Sequence, residues 1–422
     1  MSSRFLEYVE SGPPLLDTSS KAKMHKLNAS FRFTNTTVTI ANTVRREILN
    51  HTPSVGFRTE PYDKSEVEIL INTTPLVNEM VAHRIGMIPI CADPNTFNPS
   101  LYEFKLDKEN KTNEMMDIHA SDIQVFMRNP DNALENPTEL NSKEFFPPDP
   151  ITGDTVLITR LRPQWNPTAK YERLQFKAKA SISTGKENSR WSPVCQVSYE
   201  YTPNKDPAHV HEVFVNWLNA NKKIENVNAL MTEKRDELLR EFHTMEVQRC
   251  YMRNDKNEPY DFTFHIESVG VQSVPQIVLA GLKACEQLVG KYSDADTALP
   301  PNMVVQVGDS RFASIDIILQ NENHTLGNLL ETYVVENHID GSEQPKINYA
   351  GYKVPHPLRP EMFLRLDTRT QKEVEDNITV EKEEQMKRAQ NVFANACRKL
   401  ANEFRTLQTE WMQLVSLTPV SL

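Results

Sequence analysis

Few of the residues that perform chemistry in enzymes lie close together in this sequence. The five cysteines are scattered over 422 residues without a CxxC pair, and His209 and His211 form an isolated H-x-H. A structural zinc site needs four clustered ligands, and a pair of surface histidines explains the H-x-H without one. Asp294 and Asp296 lie in a polar stretch, without the clustered carboxylates of a two-metal catalytic centre. The sequence therefore predicts no catalytic, cofactor-binding or metal-binding residues.

The residues best suited to bind another protein are two adjacent arginines, Arg45 and Arg46. The planar guanidinium group of arginine suits ion pairs with carboxylates at protein interfaces. Adjacent positions on a helix cannot both share its apolar stripe, so at least one arginine faces away from the core. A solvated helix face is the alternative interpretation.

The composition also indicates protein partners. The chain has a net charge of −10 and a pI of about 5.7, with 39% hydrophobic and 25% charged residues. A protein that grips a nucleic acid backbone is usually basic, so DNA contact is expected only through a complex. Acidity that merely keeps the protein in solution is the alternative. The N-terminal segment has no apolar signal region and no apolar run reaches membrane-spanning length, which predicts a soluble intracellular protein.

The elements that would position these residues begin with a helix near residues 41–49. Ala41, Val44 and Ile48 recur at helical spacing, and Thr37 and Thr39 are candidate N-caps. A strand at 67–72 and a short helix that ends at Gly86 follow. Residues 91–199 are rich in proline and contain short strand-like runs, which predicts a β-rich module. Polar helical sequence follows at 209–248.

The alternating segment 262–270 predicts a strand, and the helix after it begins with a capping box. That box is formed by Ser273 and Gln276, and the apolar face of the helix includes Leu282 and Leu288. The polar stretch 291–302 then predicts a domain boundary.

The last third repeats the same plan of strand, helix, two strands and a longer helix. A strand is predicted at 312–319, and two amphipathic helices carry apolar residues that would pair with the first half: Leu326, Leu329, Leu330, Tyr333, Phe393, Leu400, Phe404, Leu407 and Trp411. The long final helix needs a partner helix to cover its apolar face.

One set of motifs resembles the alpha-type subunits of cellular RNA polymerases, which include bacterial alpha, archaeal D and the third-largest subunit of polymerase II, and a second set resembles their smaller partner. The first set is N-x-x-R-R, a following proline, N-T-[ST] and A-H-R-[IL]-G-[LM]-I-P, which fall on Asn42, Arg45, Arg46, Pro53, Asn72, Thr73, Thr74, Ala82, His83, Arg84, Gly86, Ile88 and Pro89. The second set, at 321–330 and 349–358, resembles the smaller partner, archaeal L or the eleventh subunit of polymerase II. The family's cysteine cluster is absent from 91–199, so no metal is carried over.

The resemblance implies an α+β protein with two alpha-like dimerisation units that pair through helices, the first interrupted by a β-rich insertion domain. The expected segments are a tail (1–25), a first dimerisation segment (26–58), the insertion (59–199), a second dimerisation segment (200–290), a linker (291–310) and the smaller-partner-like unit (311–422). Fusion of the two partners in one chain resembles the form found in large DNA viruses.

The function implied is that of a non-catalytic assembly subunit, with nucleotidyl transfer left to the large subunits. Expected partners are the largest and second-largest polymerase subunits and a small subunit of the tenth or twelfth polymerase II type, without a homodimer. The residues expected to dock on the catalytic subunits are Asn42, Arg45, Arg46, His83 and Arg84. His83 and Arg84 could instead act on the helix C-terminus. A viral protein would lie in the host cytoplasm and the virion, a cellular one in the nucleus. A scaffold unrelated to polymerase is the alternative function.

Overall fold

The computed structural model describes residues 3–14, 26–128, 136–149, 151–164, 166, 170–224, 232–308, 314–376, 378 and 380–415. The remaining parts of the predicted tail, linker and helical stretch lie outside the described residues. Three hydrophobic cores are present in the described chain: a large one shared by both halves, one in the insertion and a small helical one.

The chain alternates short strands with a few long helices. In chain order, the strands are β1 Phe5–Pro14, β2 Lys26–Thr34, β3 Pro53–Gly56, β4 Val67–Asn72, β5 Tyr102–Glu109, β6 Met116–His119, β7 Gln124–Met127, β8 Thr138–Leu140, β9 Leu157–Leu161, β10 Arg173–Ala178, β11 Ser181–Thr184, β12 Val194–Tyr201, β13 Asp261–Ser268, β14 Met303–Val307, β15 Ile315–Gln320, β16 Tyr349–Lys353 and β17 Glu361–Asp367. The helices are α1 Val38–His51, α2 Asn78–Gly86, α3 Ser142–Phe145, α4 Pro207–Trp217, α5 Thr232–Met245, α6 Val274–Gly290, α7 His324–Val334, α8 Gln371–Glu375 and α9 Lys382–Val415.

Two four-stranded antiparallel sheets have the same topology. The first has the order β1-β2-β13-β12 and the second β14-β15-β17-β16. In each, one helix follows the second strand and another follows the strand beside it, α1 and α6 in the first unit and α7 and α9 in the second. The predicted α+β fold with two copies of one plan is therefore confirmed.

Local sequence explains where the main helices begin. The Thr37 side chain accepts a hydrogen bond from the backbone N–H of Ile40, so Thr37 rather than Thr39 is the N-cap of α1. Ser273 and Gln276 form the predicted capping box of α6, with Pro275 in its first turn. Both signals satisfy backbone N–H groups that a helix start leaves unpaired.

The prediction of an N-terminal tail is corrected by β1. This strand pairs with β2 along Phe5–Pro14 and places Phe5 in the shared core with no exposed surface. Its glycine and two prolines hide the strand pattern in the sequence, and the positive φ of 84° at Gly12 marks an irregular part of the pairing.

The predicted linker also contains structure. β14 lies inside 291–310 and pairs with β15, and Tyr292 has no exposed surface. Asp296, which the sequence placed in an open polar stretch, accepts two hydrogen bonds from Arg398 of α9, at 3.1 and 3.0 Å. The connection between the halves is thus packed against the second unit.

The insertion is β-rich, as expected, and has its own core. Its main sheet has the order β4-β10-β5-β7-β8, beside the two-stranded pairs β11-β3 and β6-β9. The first strand of the insertion, β3, begins at Pro53, before the predicted boundary at residue 59. β12 begins before residue 199 and belongs to the sheet of the first unit, so the insertion ends earlier than predicted.

The polar stretch after β12 forms the helices α4 and α5 around a small core that includes Phe214, Trp217 and Phe242. Among the described residues, no helix is long and apolar enough to cross a membrane.

Candidate functional site

The four helices α1, α6, α7 and α9 pack together into an internal interface between the two units. Most residues predicted for intramolecular dimerisation are buried in this one core: Ala41, Val44, Ile48, Leu282, Leu326, Leu329, Leu330, Phe393, Leu400, Phe404, Leu407 and Trp411. Leu288 and Tyr333 are partly buried and pack against it. Because one core spans both halves, each unit covers the apolar face of the other.

Polar contacts across the internal interface follow an approximate two-fold symmetry. The Nε of Arg46 donates to Thr325 Oγ1 at 2.7 Å, and the hydroxyls of Thr39 and Thr332 lie 3.2 Å apart. Thr39 and Thr325 each lie two residues after the cap of their helix, Thr37 and Asn323, while Arg46 and Thr332 each lie nine residues after it. The two bonds therefore join matched positions of α1 and α7.

Trp411 of α9 is the largest side chain that the second unit places against the first. Its Nε1 donates to the carbonyl oxygen of Pro275 at 3.0 Å, and its ring centroid lies 5.2 Å from that of Phe5 and 4.8 Å from that of Phe31. Buried aromatic pairs with a satisfied indole N–H are strong contributors to an interface. Sequence reasoning identified Trp411 but missed Phe5, because β1 was assigned to a tail.

Ion pairs and hydrogen bonds surround this apolar contact. Arg4, which directly precedes β1, donates to Glu403 Oε1 of α9 at 2.8 Å, and its backbone N–H donates to Glu410 Oε2 at 2.9 Å. On the other side, Glu286 of α6 accepts from Gln408 at 2.8 Å and from Arg405 at 2.5 Å. These pairs are partly exposed, so they orient the helices more than they stabilise them.

Asn42 and Arg45 lie away from the internal interface, at an outer groove of about 710 Å³. We use this name for the space bordered by Asn42, Arg45, Val197, Ser198, Tyr199, Glu200, Tyr201, Pro203 and Gln248. Asn42 Oδ1 accepts from Nε and Nη2 of Arg45, at 3.1 and 2.9 Å, which fixes the guanidinium. Arg45 forms no ion pair with a carboxylate in the described part of the chain.

The tyrosines of the groove pack against aromatic side chains of the first sheet. Tyr199 packs at 5.5 Å from Phe262 and 5.4 Å from Phe264. Burial raises the pKa of Tyr199, and the nearby Arg45 opposes that rise. The phenol thus stays a neutral hydrogen-bonding group at physiological pH.

His83 and Arg84 lie on α2, in the insertion, whereas the other three predicted docking residues lie on α1 of the first unit. The five residues therefore belong to two different parts of the structure. His83 is exposed. Arg84 donates to the carbonyl oxygens of Ile158 and Leu157, at 2.5 and 2.8 Å, so it holds α2 against β9. Their predicted role in docking stays a prediction.

Gly86 and Gly327, one in each set of motifs, allow other side chains to approach the backbone closely. A Cβ on Gly86 would lie 2.5 Å from Nη1 of Arg190, a nearly buried side chain that also donates to the Phe57 carbonyl. A Cβ on Gly327 would lie 2.3 Å from the Tyr352 ring, and His324 Nδ1 lies 3.4 Å from the Tyr352 hydroxyl. These contacts give the residues of the second set of motifs a part in shaping the fold.

Two buried or partly buried ion pairs were missed. In the first sheet, Arg32 donates to both carboxylate oxygens of Asp261 at 2.8 Å; in the second, Arg365 donates to both oxygens of Asp316, at 2.6 and 2.7 Å. Only strand pairing brings these residues together, and the sequence does not fix that pairing. Among the described residues, no three His, Cys, Asp or Glu side chains lie close enough to hold a metal ion.

Comparisons with known proteins agree with this architecture. Two models described as the RNA polymerase Rpb3/Rpb11 dimerisation domain match the chain, one over residues 30–289 and the other over 314–410. The chain is 26% identical over 298 residues to the DNA-directed RNA polymerase II subunit RPB3 of Schizosaccharomyces pombe, covering 66% of this chain and 87% of that protein.

Archaeal and other eukaryotic relatives show the same relationship. Identity to the DNA-directed RNA polymerase subunit Rpo3 of Methanopyrus kandleri is 26% over 272 residues, covering 61% of this chain and 87% of the relative. Identity to the DNA-directed RNA polymerases I and III subunit rpac1 of Dictyostelium discoideum is 30% over 179 residues, which cover 39% of this chain and 46% of that relative.

Proposed function

Because the chain belongs to the RNA polymerase Rpb3/Rpb11 dimerisation-domain family and carries that domain in both halves, we propose that it is a non-catalytic assembly subunit of a multisubunit DNA-directed RNA polymerase. The observation that carries this proposal is the single core in which α1, α6, α7 and α9 pack across the two units. One chain thereby supplies both members of an alpha-like pair.

Fusion makes the pairing intramolecular. A short connection raises the effective concentration of one unit at the other to about the millimolar range, so the pair does not dissociate on dilution. The packed segment around Tyr292 and Asp296 restricts the second unit further. The subunit would therefore reach the polymerase as a preformed platform.

The platform would orient the two large catalytic subunits, so that their cleft closes around DNA. We assign docking on these subunits to Asn42 and Arg45 at the outer groove and to His83 and Arg84 on α2. Arg46 was predicted to share this role; its bond to Thr325 supports a contribution to the internal interface as well. A small subunit of the tenth or twelfth polymerase II type is a further proposed partner.

The fused arrangement also motivates a proposal about where the protein acts. The relatives named above are eukaryotic and archaeal polymerase subunits, whereas fusion of the two partners is the feature that suggested a large DNA virus. A viral chain would act in the host cytoplasm and be packaged in the virion, and a cellular one would act in the nucleus. Quantitative proteomics of purified virions or of fractionated cells separates these locations.

The proposal is tested by affinity purification of the tagged chain from producing cells, followed by mass spectrometry with stoichiometry. We expect two very large chains at one copy each, together with DNA-templated RNA synthesis in the eluate. Recovery of the chain with partners unrelated to transcription would contradict the proposal and favour a different scaffold role.

A further inference from the structure

The outer edge of β12 is a strand edge with no neighbouring strand among the described residues. β12 ends the sheet order β1-β2-β13-β12 and pairs only with β13. The backbone N–H of Thr202 donates to the carbonyl oxygen of Asp261 at 3.0 Å. Since alternate residues of an antiparallel strand face its partner, the backbone groups of Tyr199 and Tyr201 face away from β13. Such an edge is a template for another extended segment.

The outer groove runs along this edge. Five consecutive residues of β12, Val197–Tyr201, border it, which places both the backbone edge and alternate side chains at the groove. α1 borders the groove through Asn42 and Arg45, and Gln248 borders it from the turn after α5. The groove therefore has the form that an added strand requires.

The chain already adds an extended segment to the continuation of β12. The N–H of Met252 donates to the carbonyl of Thr202 at 3.0 Å, and the N–H of Asn204 donates to the carbonyl of Cys250 at 2.8 Å. This pairing starts directly after Tyr201, where β12 ends. The segment that follows α5 thus pairs beyond the end of β12, and among the described residues β12 itself has no strand on its outer side.

Charge indicates the kind of segment that fits. Arg45 is held in place by Asn42 and forms no ion pair with a carboxylate in the described chain. The carboxylate of Glu200 lies 3.6 Å from Nε2 of His265, a residue of the neighbouring strand β13. A fixed guanidinium beside a strand edge is suited to accept a carboxylate, and the planar geometry favours two parallel hydrogen bonds.

We propose that the outer groove binds an extended, acidic segment of another polymerase subunit, which adds to the sheet as a fifth strand beside β12 and places an aspartate or glutamate on Arg45. This inference rests on the proposed function, because the segment must come from a subunit of the same complex. Backbone hydrogen bonds along Val197–Tyr201 supply affinity, and the ion pair with Arg45 fixes the register.

The test is hydrogen–deuterium exchange of the full chain, free and within the purified polymerase, read on peptides that cover β12. We expect amide exchange in Val197–Tyr201 to slow at least tenfold in the complex, because strand addition ties the outward N–H groups. The edge strand β14 serves as an internal reference for general slowing. If the complex assembles and β12 exchanges at its free rate, the inference is wrong while the proposed function stands. If no polymerase subunits copurify, both the inference and the proposed function are wrong.

Two variants of the full chain separate strand addition from simple burial. Within the complex, Arg45→Gln removes the charge and is expected to restore at least tenfold faster exchange in β12. Arg45→Lys keeps the charge and is expected to show a smaller increase. Protection of β12 that is unchanged in both variants would contradict the role of Arg45 and leave burial by another kind of surface as the explanation.

Discussion

The two units follow one plan but use one matched edge differently. Arg45 of α1 and Glu331 of α7 both lie eight residues after the cap of their helix, and Ala41 and Gly327 both lie four residues after it. Tyr199 and Tyr352 occupy matched places on the edge strands, opposite Phe264 and Leu364. In the second unit the ring of Tyr352 closes onto Gly327, whereas in the first unit a groove remains beside Arg45.

This difference shows what a fused pair permits. In a symmetric pair, any change at one edge is repeated at the other, whereas two halves of one chain can diverge. Here the internal contacts keep their symmetry, with Arg46 to Thr325 and Thr39 to Thr332. The matched helix residues at the two edges are an arginine, Arg45, and a glutamate, Glu331, and burial raises the pKa of Glu331 above its usual range. The internal interface is thus shared, and the outer edges are specialised.

The shared interface is challenged most strongly by Trp411→Ala. This change removes a fully buried ring and its hydrogen bond to Pro275, and we expect a loss of about 3–5 kcal/mol in the free energy of unfolding. Chemical denaturation and, separately, calorimetry should each show that the free energy of unfolding falls for both units together. Leu358→Ala, at a side chain that is 86% exposed, is the control. Destabilisation of the second unit alone would mean that the halves fold separately.

The first sheet is tested by Asp261→Asn, which breaks the two-pronged pair with Arg32. We expect a loss of about 2–3 kcal/mol in the free energy of unfolding at pH 7. Burial raises the pKa of Asp261, but hydrogen bonds from Arg32, Thr202 and Thr34 outweigh it, so the pKa lies below the usual range.

The stabilisation by Asp261 is therefore complete above the unfolded-state pKa of about 3.9 and is lost as the pH falls through the folded-state pKa. The difference between wild type and variant should shrink below about pH 4. Denaturation midpoints measured from pH 7 to pH 3 check this, with the exposed Asp63→Asn as control. A difference that stays constant with pH would remove the ion pair as its cause.

Gly327→Ala tests the close contact between α7 and Tyr352. It places on α7 the residue that α1 has at the matched position, Ala41. The new methyl group would meet the Tyr352 ring at 2.3 Å, so the ring must move away, at about 1–2 kcal/mol. Gly290→Ala, where an added Cβ would meet no side chain within 4 Å, should change the free energy of unfolding by less than about 0.5 kcal/mol. Equal effects of the two changes in thermal denaturation would refute the closed arrangement of this edge.

The specialised edges are distinguished by Arg45→Glu and Glu331→Gln. Arg45→Glu should weaken assembly with the catalytic subunits at least tenfold, about 1.4 kcal/mol, while leaving the fold intact. Glu331→Gln should leave assembly within about twofold of wild type, a difference of about 0.4 kcal/mol. Binding is measured by titration with the purified partner subunits, and circular dichroism checks folding. If Glu331→Gln weakened assembly as much, the two edges would not differ in role.

Much of the fold was predictable because helices and their caps carry local signals. The faces of α1, α6, α7 and α9 follow from apolar spacing, and the starts of α1 and α6 from Thr37 and from Ser273 with Gln276. β1 was not predictable, since its polar and proline residues resemble a tail until pairing with β2 is known. β14 was missed for a different reason: its valines are typical of a strand, but it lies inside the segment that the preceding polar residues predict as a linker.

The candidate site was predictable only in part. Asn42 and Arg45 stand together in one motif, and so sequence alone identified them. The other border of the groove, Val197–Tyr201 and Gln248, is more than 150 residues away in the chain and depends on strand order. Arg46 shows the same limit, because two adjacent arginines give no indication that one lies at the outer groove and the other bonds to Thr325.

If one chain supplies both alpha-like units of a polymerase, the complex needs only one copy of it. Native mass spectrometry of the purified complex measures that copy number. We predict one copy of this 48.4 kDa chain beside one copy of each large catalytic subunit, without a separate alpha-like partner. Two copies of the chain, or one copy together with another Rpb3- or Rpb11-like subunit, would contradict it.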